Sequence, residues 1–281
     1  MTVQLALGTV QFGVAYGVVG RCERVSDGDA AAILARAAAQ GIRTLDTAAA
    51  YGDIEERLAG LCGAAPFAIV SKIPPLPADG DAAAFVTDAV NRSAQRLGPR
   101  LAALLFHRAD DLLGAHADRI WRAAVRALPP GVKLGVSCYG PDELAAVAAR
   151  HPVALAQLPG NALDQRLHGH AFPGIELHLR SVFLQGLLLA DAATGAARVP
   201  ACAPALAAWQ LFCTERGLAP LEAALGLARA LPGVQRLVVG VDELAQLDAI
   251  HAAWQRSTPL AAPELACTDP AVIDPRHWKR S

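Results

Sequence analysis

Five short apolar runs end on side chains able to do chemistry: Asp46 closes IRTL, Lys72 closes FAIVS, His107 closes LAALLF, Ser137 and Cys138 close VKLGV, and Gln157 closes VALA. Tyr51 follows Asp46 by one loop. An ammonium buried beside a carboxylate stays charged, and its field lowers the pKa of a nearby phenol from its usual ~10, which makes Tyr51 a candidate general acid. A histidine at the same place can orient a carbonyl. Taken singly, each residue has a bland explanation. Asp46 can cap a turn, Lys72 can solvate a strand end, His107 can be a hydrogen-bonded core histidine and Tyr51 can simply pack. Their joint placement, one after another at the ends of apolar runs, points to a shared site.

Positioning them requires strands that all run the same way. Apolar runs alternate with Ala-rich helical stretches along the whole chain, the pattern of repeated βα units around a parallel sheet. Counting LALGT from residue 4 to 8 or 9, the strands are LALGT, IRTLD, FAIVSK, LAALLFH, VKLGVSC, VALAQ, IELHLRS and QRLVVG. Ser26 caps a helix through about Gln40, with Asp27 and Asp29 in its first turn and Gly41 ending it. Helical spacing also marks 81–97, 113–128, 141–150, 204–216 and 242–255. Eight strands with intervening helices predict a (β/α)8 TIM barrel, with an open doubly wound sheet as the alternative. No linker or charge block divides residues 1–281, so one domain is expected, with an irregular tail from about 257. In such a barrel every strand end named above opens on one face.

Composition narrows the function. Lys and Arg total 25 against 26 Asp and Glu, with no basic run, so nucleic acid is not an expected partner. Mean hydropathy is +0.31, but Arg180, Gln185 and Asp191, or Pro200 and Pro204, interrupt the apolar stretches short of the ~18 residues a bilayer needs. The N-terminal MTVQLALGTVQFG lacks the basic region, apolar segment and cleavage site of an export signal, which predicts a cytoplasmic chain. Six cysteines, Cys22, Cys62, Cys138, Cys202, Cys213 and Cys267, show no CxxC spacing and are read as reduced thiols. His168 and His170, as HGH without a third ligand nearby, are assigned no metal. Neither GxGxxG after a strand nor GxxxxGK occurs, leaving the last two strand ends as the phosphate site of any bound nucleotide. GVSCYG places Ser137 like a hydrolase nucleophile, but with its second glycine one residue late.

LALGTVQFG, GIRTLDTAAAYG, IVSK, LLFHR, LGVS, AQLPGN and RSVFLQGLL, in this order over nearly the whole chain, resemble the aldo-keto reductase superfamily. The resemblance implies a (β/α)8 barrel that binds NADH or NADPH in extended form and passes a hydride to a small-molecule aldehyde or ketone. It makes Tyr51 the proton donor, Lys72 and Asp46 its pKa-lowering pair, and His107 the carbonyl-orienting residue. The implied cofactor site comprises Gly8, Thr9, Asp46, Ser137, Cys138, Gln157, Arg180, Ser181, Leu184, Gly186, Gly240 and Gln246, with Ser137 and Gln157 on the nicotinamide amide. Phe12, Tyr16, Asn161 and Trp209 are the implied substrate pocket.

Several positions depart from the family pattern. Cys138 replaces a common Asn, Arg180 stands where an aromatic usually stacks on the nicotinamide, and Gly160 replaces an aromatic and is expected to leave open space. Near the adenosine end, Gly240, Val241 and Gln246 replace residues that are often basic or polar, while Asp242 and Glu243 would repel a 2′-phosphate. NADH is therefore expected to bind at least as tightly as NADPH, unless Arg236 or a distant loop supplies the countercharge. Two other functions remain open: a dinucleotide sensor of the same fold that signals to a protein partner with little turnover, and a serine hydrolase built on Ser137.

Overall fold

The structure, a computed structural model, describes residues 2–20 and 23–278. The strands are β1 (Gln4–Gly8), β2 (Thr44–Asp46), β3 (Ala68–Ile73), β4 (Leu101–Phe106), β5 (Lys133–Ser137), β6 (Leu155–Pro159), β7 (Glu176–Arg180) and β8 (Val234–Gly240). They pair in parallel and in sequence order, and β8 closes on β1, completing the expected (β/α)8 barrel. The helices are α1 (Val10–Gly13), α2 (Asp27–Ala39), α3 (Ile54–Leu61), α4 (Ala82–Leu97), α5 (Asp110–Leu113), α6 (Ala117–Ala127), α7 (Pro141–Ala148), α8 (Ala192–Arg198), α9 (Ala203–Glu215), α10 (Pro220–Ala230), α11 (Leu244–Arg256) and α12 (Pro270–Ile273). Helix starts follow local chemistry: the Ser26 hydroxyl accepts from Asp29 N, and the Asp81 carboxylate accepts from Ala83 N and Ala84 N.

Side-chain parity decides what faces the barrel axis. Val70, Ala103, Leu105 and Leu155 form a small apolar cluster apart from the large core between sheet and helices. With a strand period of two, Lys72, His107 and Gln157 share the inward parity of Val70, Leu105 and Leu155 but lie one step nearer the C-terminal rim. The register sets Gly8 beside both Asp46 and Gly240, and Ser137 beside Gln157. The small cluster thus forms a dry plug, and the polar residues sit on top of it.

Beyond Ser257 the chain makes single turns at Pro263–Leu265, Pro270–Ile273 and Pro275–His277. They bury Leu265, Val272, Ile273 and Trp278. Two hydrogen bonds tie the segment to the loop after β6, Cys267 N to the Leu163 carbonyl at 2.8 Å and Gln165 Nε2 to the Ala262 carbonyl at 2.8 Å. Among the described residues no helix is long and apolar enough to cross a membrane. The described cysteines are free thiols, and Cys22 lies outside the described residues.

Candidate active site

Lys72 spends all three ammonium protons inside the barrel, on Asp46 Oδ1 at 2.7 Å, Asp46 Oδ2 at 2.8 Å and the Thr47 carbonyl at 2.9 Å. Gln157 Nε2 adds a bond to Asp46 Oδ1 at 2.7 Å, and Thr9 Oγ1 donates to the Asp46 carbonyl at 3.1 Å. With Lys72 only 1% and Asp46 6% exposed, this ion pair is tolerated because each partner is fully hydrogen-bonded. Burial pulls the Lys72 pKa below its ordinary value, and Asp46 opposes the shift.

Tyr51 stands over this floor. The Lys72 ammonium lies 5.4 Å from its ring centroid, and the His107 ring meets it edge-on at 5.9 Å. One expectation is corrected here: the Lys72 and Asp46 pair does not lower the phenol pKa. Burial first, then the Asp46 carboxylate, raises it above its ordinary value, while Arg180 pulls the other way. The buried phenol loses the solvation its anion would need, and the neighbouring Asp46 carboxylate repels that anion. His107 is pushed down to about 4, by burial and then by Lys72, so it is neutral near pH 7. Its Nδ1 is buried without a hydrogen-bond partner among the described residues.

From this floor a cleft of about 370 Å3 runs along the ends of β1, β7 and β8. Of the residues expected there, Gly8, Tyr16, Asp46, Tyr51, Gln157, Arg180, Ser181, Gly186, Gly240 and Gln246 line it. Thr9, Ser137, Cys138 and Leu184 are buried behind the wall instead. No histidine hydrogen-bonds Ser137 among the described residues, so the hydrolase arrangement lacks its base.

The substrate pocket also needs correcting. Phe12 and Trp209 are fully buried in the core, where the Trp209 indole donates to the Leu188 carbonyl at 2.8 Å. Trp209 shares a face of α9 with Leu206, Phe212 and Cys213, all buried, and none of these residues lines the cleft. Asn161 is buried too. Its Oδ1 accepts from Leu163 N and Asp164 N and its Nδ2 donates to the Ser181 carbonyl, so it pins the loop after β6. Gly160 leaves no open space, since a Cβ there would come within 2.9 Å of both Leu179 and Leu231 methyls. His170 is engaged by Asp142 and by the Arg166 carbonyl.

Sequence reasoning missed four residues at the site. Gln11 and Gln185 line the cleft, each with a buried Oε1 that lacks a hydrogen-bond partner among the described residues. Gln11 occupies room that a side chain at 240 would fill, because a Cβ on Gly240 would stand 2.6 Å from its Nε2. Val18 N donates to the Gln185 carbonyl at 3.4 Å, so the loop after β1 reaches the loop after β7 at the cleft. Ser181, Leu184 and Gln185 all have positive φ, which none of these residue types advertises in sequence. Tyr139 and Arg276 complete the rim. The Tyr139 ring lies 4.3 Å from the Arg180 guanidinium and 3.5 Å from that of Arg276, contributed by the C-terminal segment.

A closed (β/α)8 barrel with a buried Lys and Asp pair, a tyrosine and a histidine at its C-terminal mouth defines a class of barrel enzymes. The chain belongs to the aldo/keto reductase family, whose profile matches residues 4–269, and it is an NAD(P)H-dependent oxidoreductase. Its fold is similar to that of an aldo-keto reductase from Bacillus halodurans in its holo form, with a TM-score of 0.73, 19% identity and coverage of 98% of this chain and 94% of that one. It is also similar to a chain from Pseudomonas aeruginosa assigned to the aldo-keto reductases, with a TM-score of 0.64, 24% identity and coverage of 89% and 88%. At these identities the two structures establish the fold. No curated protein sequence matches the chain.

Proposed function

We propose that the protein reduces an aldehyde or ketone at the Tyr51 end of the cleft, with Tyr51 as proton donor and His107 orienting the carbonyl. The observation that carries this reading is the convergence of Tyr51 and His107 on the hydrogen-bonded Lys72 and Asp46 pair. When bound, the dinucleotide supplies a hydride, the two electrons and one hydrogen that the carbonyl carbon gains. Tyr51 delivers the proton to the oxygen as negative charge builds there, and water in the cleft restores it. Burial keeps that phenol protonated until the oxygen develops charge, which suits reduction. A neutral His107 can donate one N–H to the same oxygen.

The cleft suits a dinucleotide. The Gln11 and Gln185 amide oxygens lack partners among the described residues and would accept from ribose hydroxyls, and Gln157 faces the nicotinamide end. The pyrophosphate would meet backbone N–H groups near the start of α11, where the helix dipole favours anions. Arg180, at the Tyr51 end, is the one cation lining the cleft among the described residues, and Asp242 lines the other end. Among the described residues a 2′-phosphate therefore finds no countercharge in the cleft, which favours NADH as the cofactor.

The test replaces Tyr51 with Phe. Carbonyl reduction should fall at least ~10²-fold while dinucleotide affinity stays nearly constant; activity close to that of the parent would refute the assignment. Fluorescence titration should give NADH a dissociation constant no weaker than that of NADPH. NADPH binding ten times tighter would overturn the cofactor preference, and dinucleotide binding without turnover of any carbonyl would favour the sensor.

A further inference from the structure

The arginines around the mouth are not electrostatically equivalent. Arg108 pairs with Asp111 at 2.7 Å, Arg166 with Asp164 at 2.8 Å and Arg276 with Asp274 at 2.6 Å. Arg180 has no carboxylate at ion-pair distance among the described residues. Of the five N–H groups on its guanidinium, one meets the Cys138 carbonyl at 3.1 Å and one makes a long contact of 3.4 Å to Ser181 Oγ, which leaves three without an acceptor among the described residues. The group is nevertheless half-buried and fixed, with Tyr139 stacked on one face and Tyr139 itself braced by Arg276. A cation held this firmly, short of acceptors and lining the same cleft as Tyr51, is built to receive an anion.

We propose that the carbonyl substrate carries a carboxylate and that Arg180 binds it, which rests on the reading that Tyr51 reduces a carbonyl in this cleft. The fork of a guanidinium matches the two oxygens of a carboxylate. One uncompensated positive charge balances a monoanion, whereas a phosphate dianion would need a second countercharge that the neighbouring arginines have already given to Asp111, Asp164 and Asp274. Arg180 lines the same cleft as Tyr51, and its charge opposes the rise of the Tyr51 pKa, which fits a carboxylate close to the carbonyl.

The test compares acids with their methyl esters on two scaffolds, pyruvate with methyl pyruvate and 4-carboxybenzaldehyde with methyl 4-formylbenzoate. On at least one scaffold the parent should favour the acid about tenfold or more in kcat/KM. Arg180→Gln should bring that ratio towards one, and Arg180→Lys, which keeps the charge but not the fork, should retain part of it. Calorimetric titration with benzoate, which is not reduced, should show binding to the parent that weakens with salt and is lost in Arg180→Gln. If neither acid nor ester is reduced while benzoate still binds through Arg180, the anion site stands and the reductase reading fails. Equal rates for acid and ester on both scaffolds, or benzoate binding indifferent to Arg180→Gln, would overturn the anion site. So would a variant that weakens NADH binding with the acid-to-ester ratio intact, because it would assign the guanidinium to the dinucleotide.

Discussion

An ammonium and a carboxylate almost wholly out of water persist in this barrel because every proton of Lys72 finds an oxygen, and two of those oxygens belong to Asp46. Burial, aided by the Asp46 carboxylate, leaves Tyr51 a donor with a raised rather than a lowered pKa, and burial together with the Lys72 charge leaves His107 neutral. The histidine makes stability depend on pH with a definite sign. Its folded pKa of about 4 lies below the ~6.5 of an unfolded histidine, so the unfolded chain takes up a proton first as pH falls. The stabilisation is full above about pH 6.5 and is lost as pH drops towards 4. Urea unfolding at pH 7 and pH 4.5 should therefore show a greater loss for the parent than for His107→Phe, by an amount approaching about 3 kcal/mol. Equal losses in the two proteins would mean that His107 is not held neutral.

At the scale of elements, the position of Tyr51 is set by a backbone contact between two loops. Gly13 ends α1, and a Cβ there would stand 1.9 Å from the Tyr51 carbonyl oxygen. Arg57, on α3, reinforces the contact by donating to the Phe12 carbonyl at 2.7 Å. The turn after β1 and the loop after β2 are thus locked through the one residue type that lets their backbones touch. Gly13→Ala must push the loops apart. The expected result is a loss of about 1–3 kcal/mol of stability, the range for overpacking, with at least a tenfold fall in carbonyl reduction as Tyr51 shifts. Thermal melts and steady-state rates check both, and a variant with parental rates would show that the tyrosine is placed by other contacts.

On the scale of the whole molecule, closing the sheet does what no single element does. Gln157 reaches Asp46 across 111 positions of chain because both residues face the axis of the same closed barrel. The C-terminal segment adds Arg276 to a rim built mainly from strand ends, and through Tyr139 it steadies Arg180. Its buried Leu265, Val272, Ile273 and Trp278 make this segment part of the core although it forms only single turns.

Apolar runs, the Ser26 cap of α2 and the order of strands and helices were legible in the sequence, because each is a local signal. The ends of those runs placed Asp46, Lys72, His107 and Gln157 on one face of the barrel. Helical spacing could also have shown that Trp209 belongs to the core, since Leu206, Trp209, Phe212 and Cys213 recur on one side of α9. Other features depended on contacts between distant segments. The direction of the Tyr51 pKa shift turns on how deeply the ring is buried and on the Asp46 carboxylate brought beside it. The partnerless oxygens of Gln11 and Gln185, the absence of room beside Gly160 and the unpaired charge of Arg180 depend on which chains meet at the rim. Sequence determined which side chains each strand carries inward; packing decided which of their hydrogen bonds and charges are already spent, because that balance exists only once the barrel has closed.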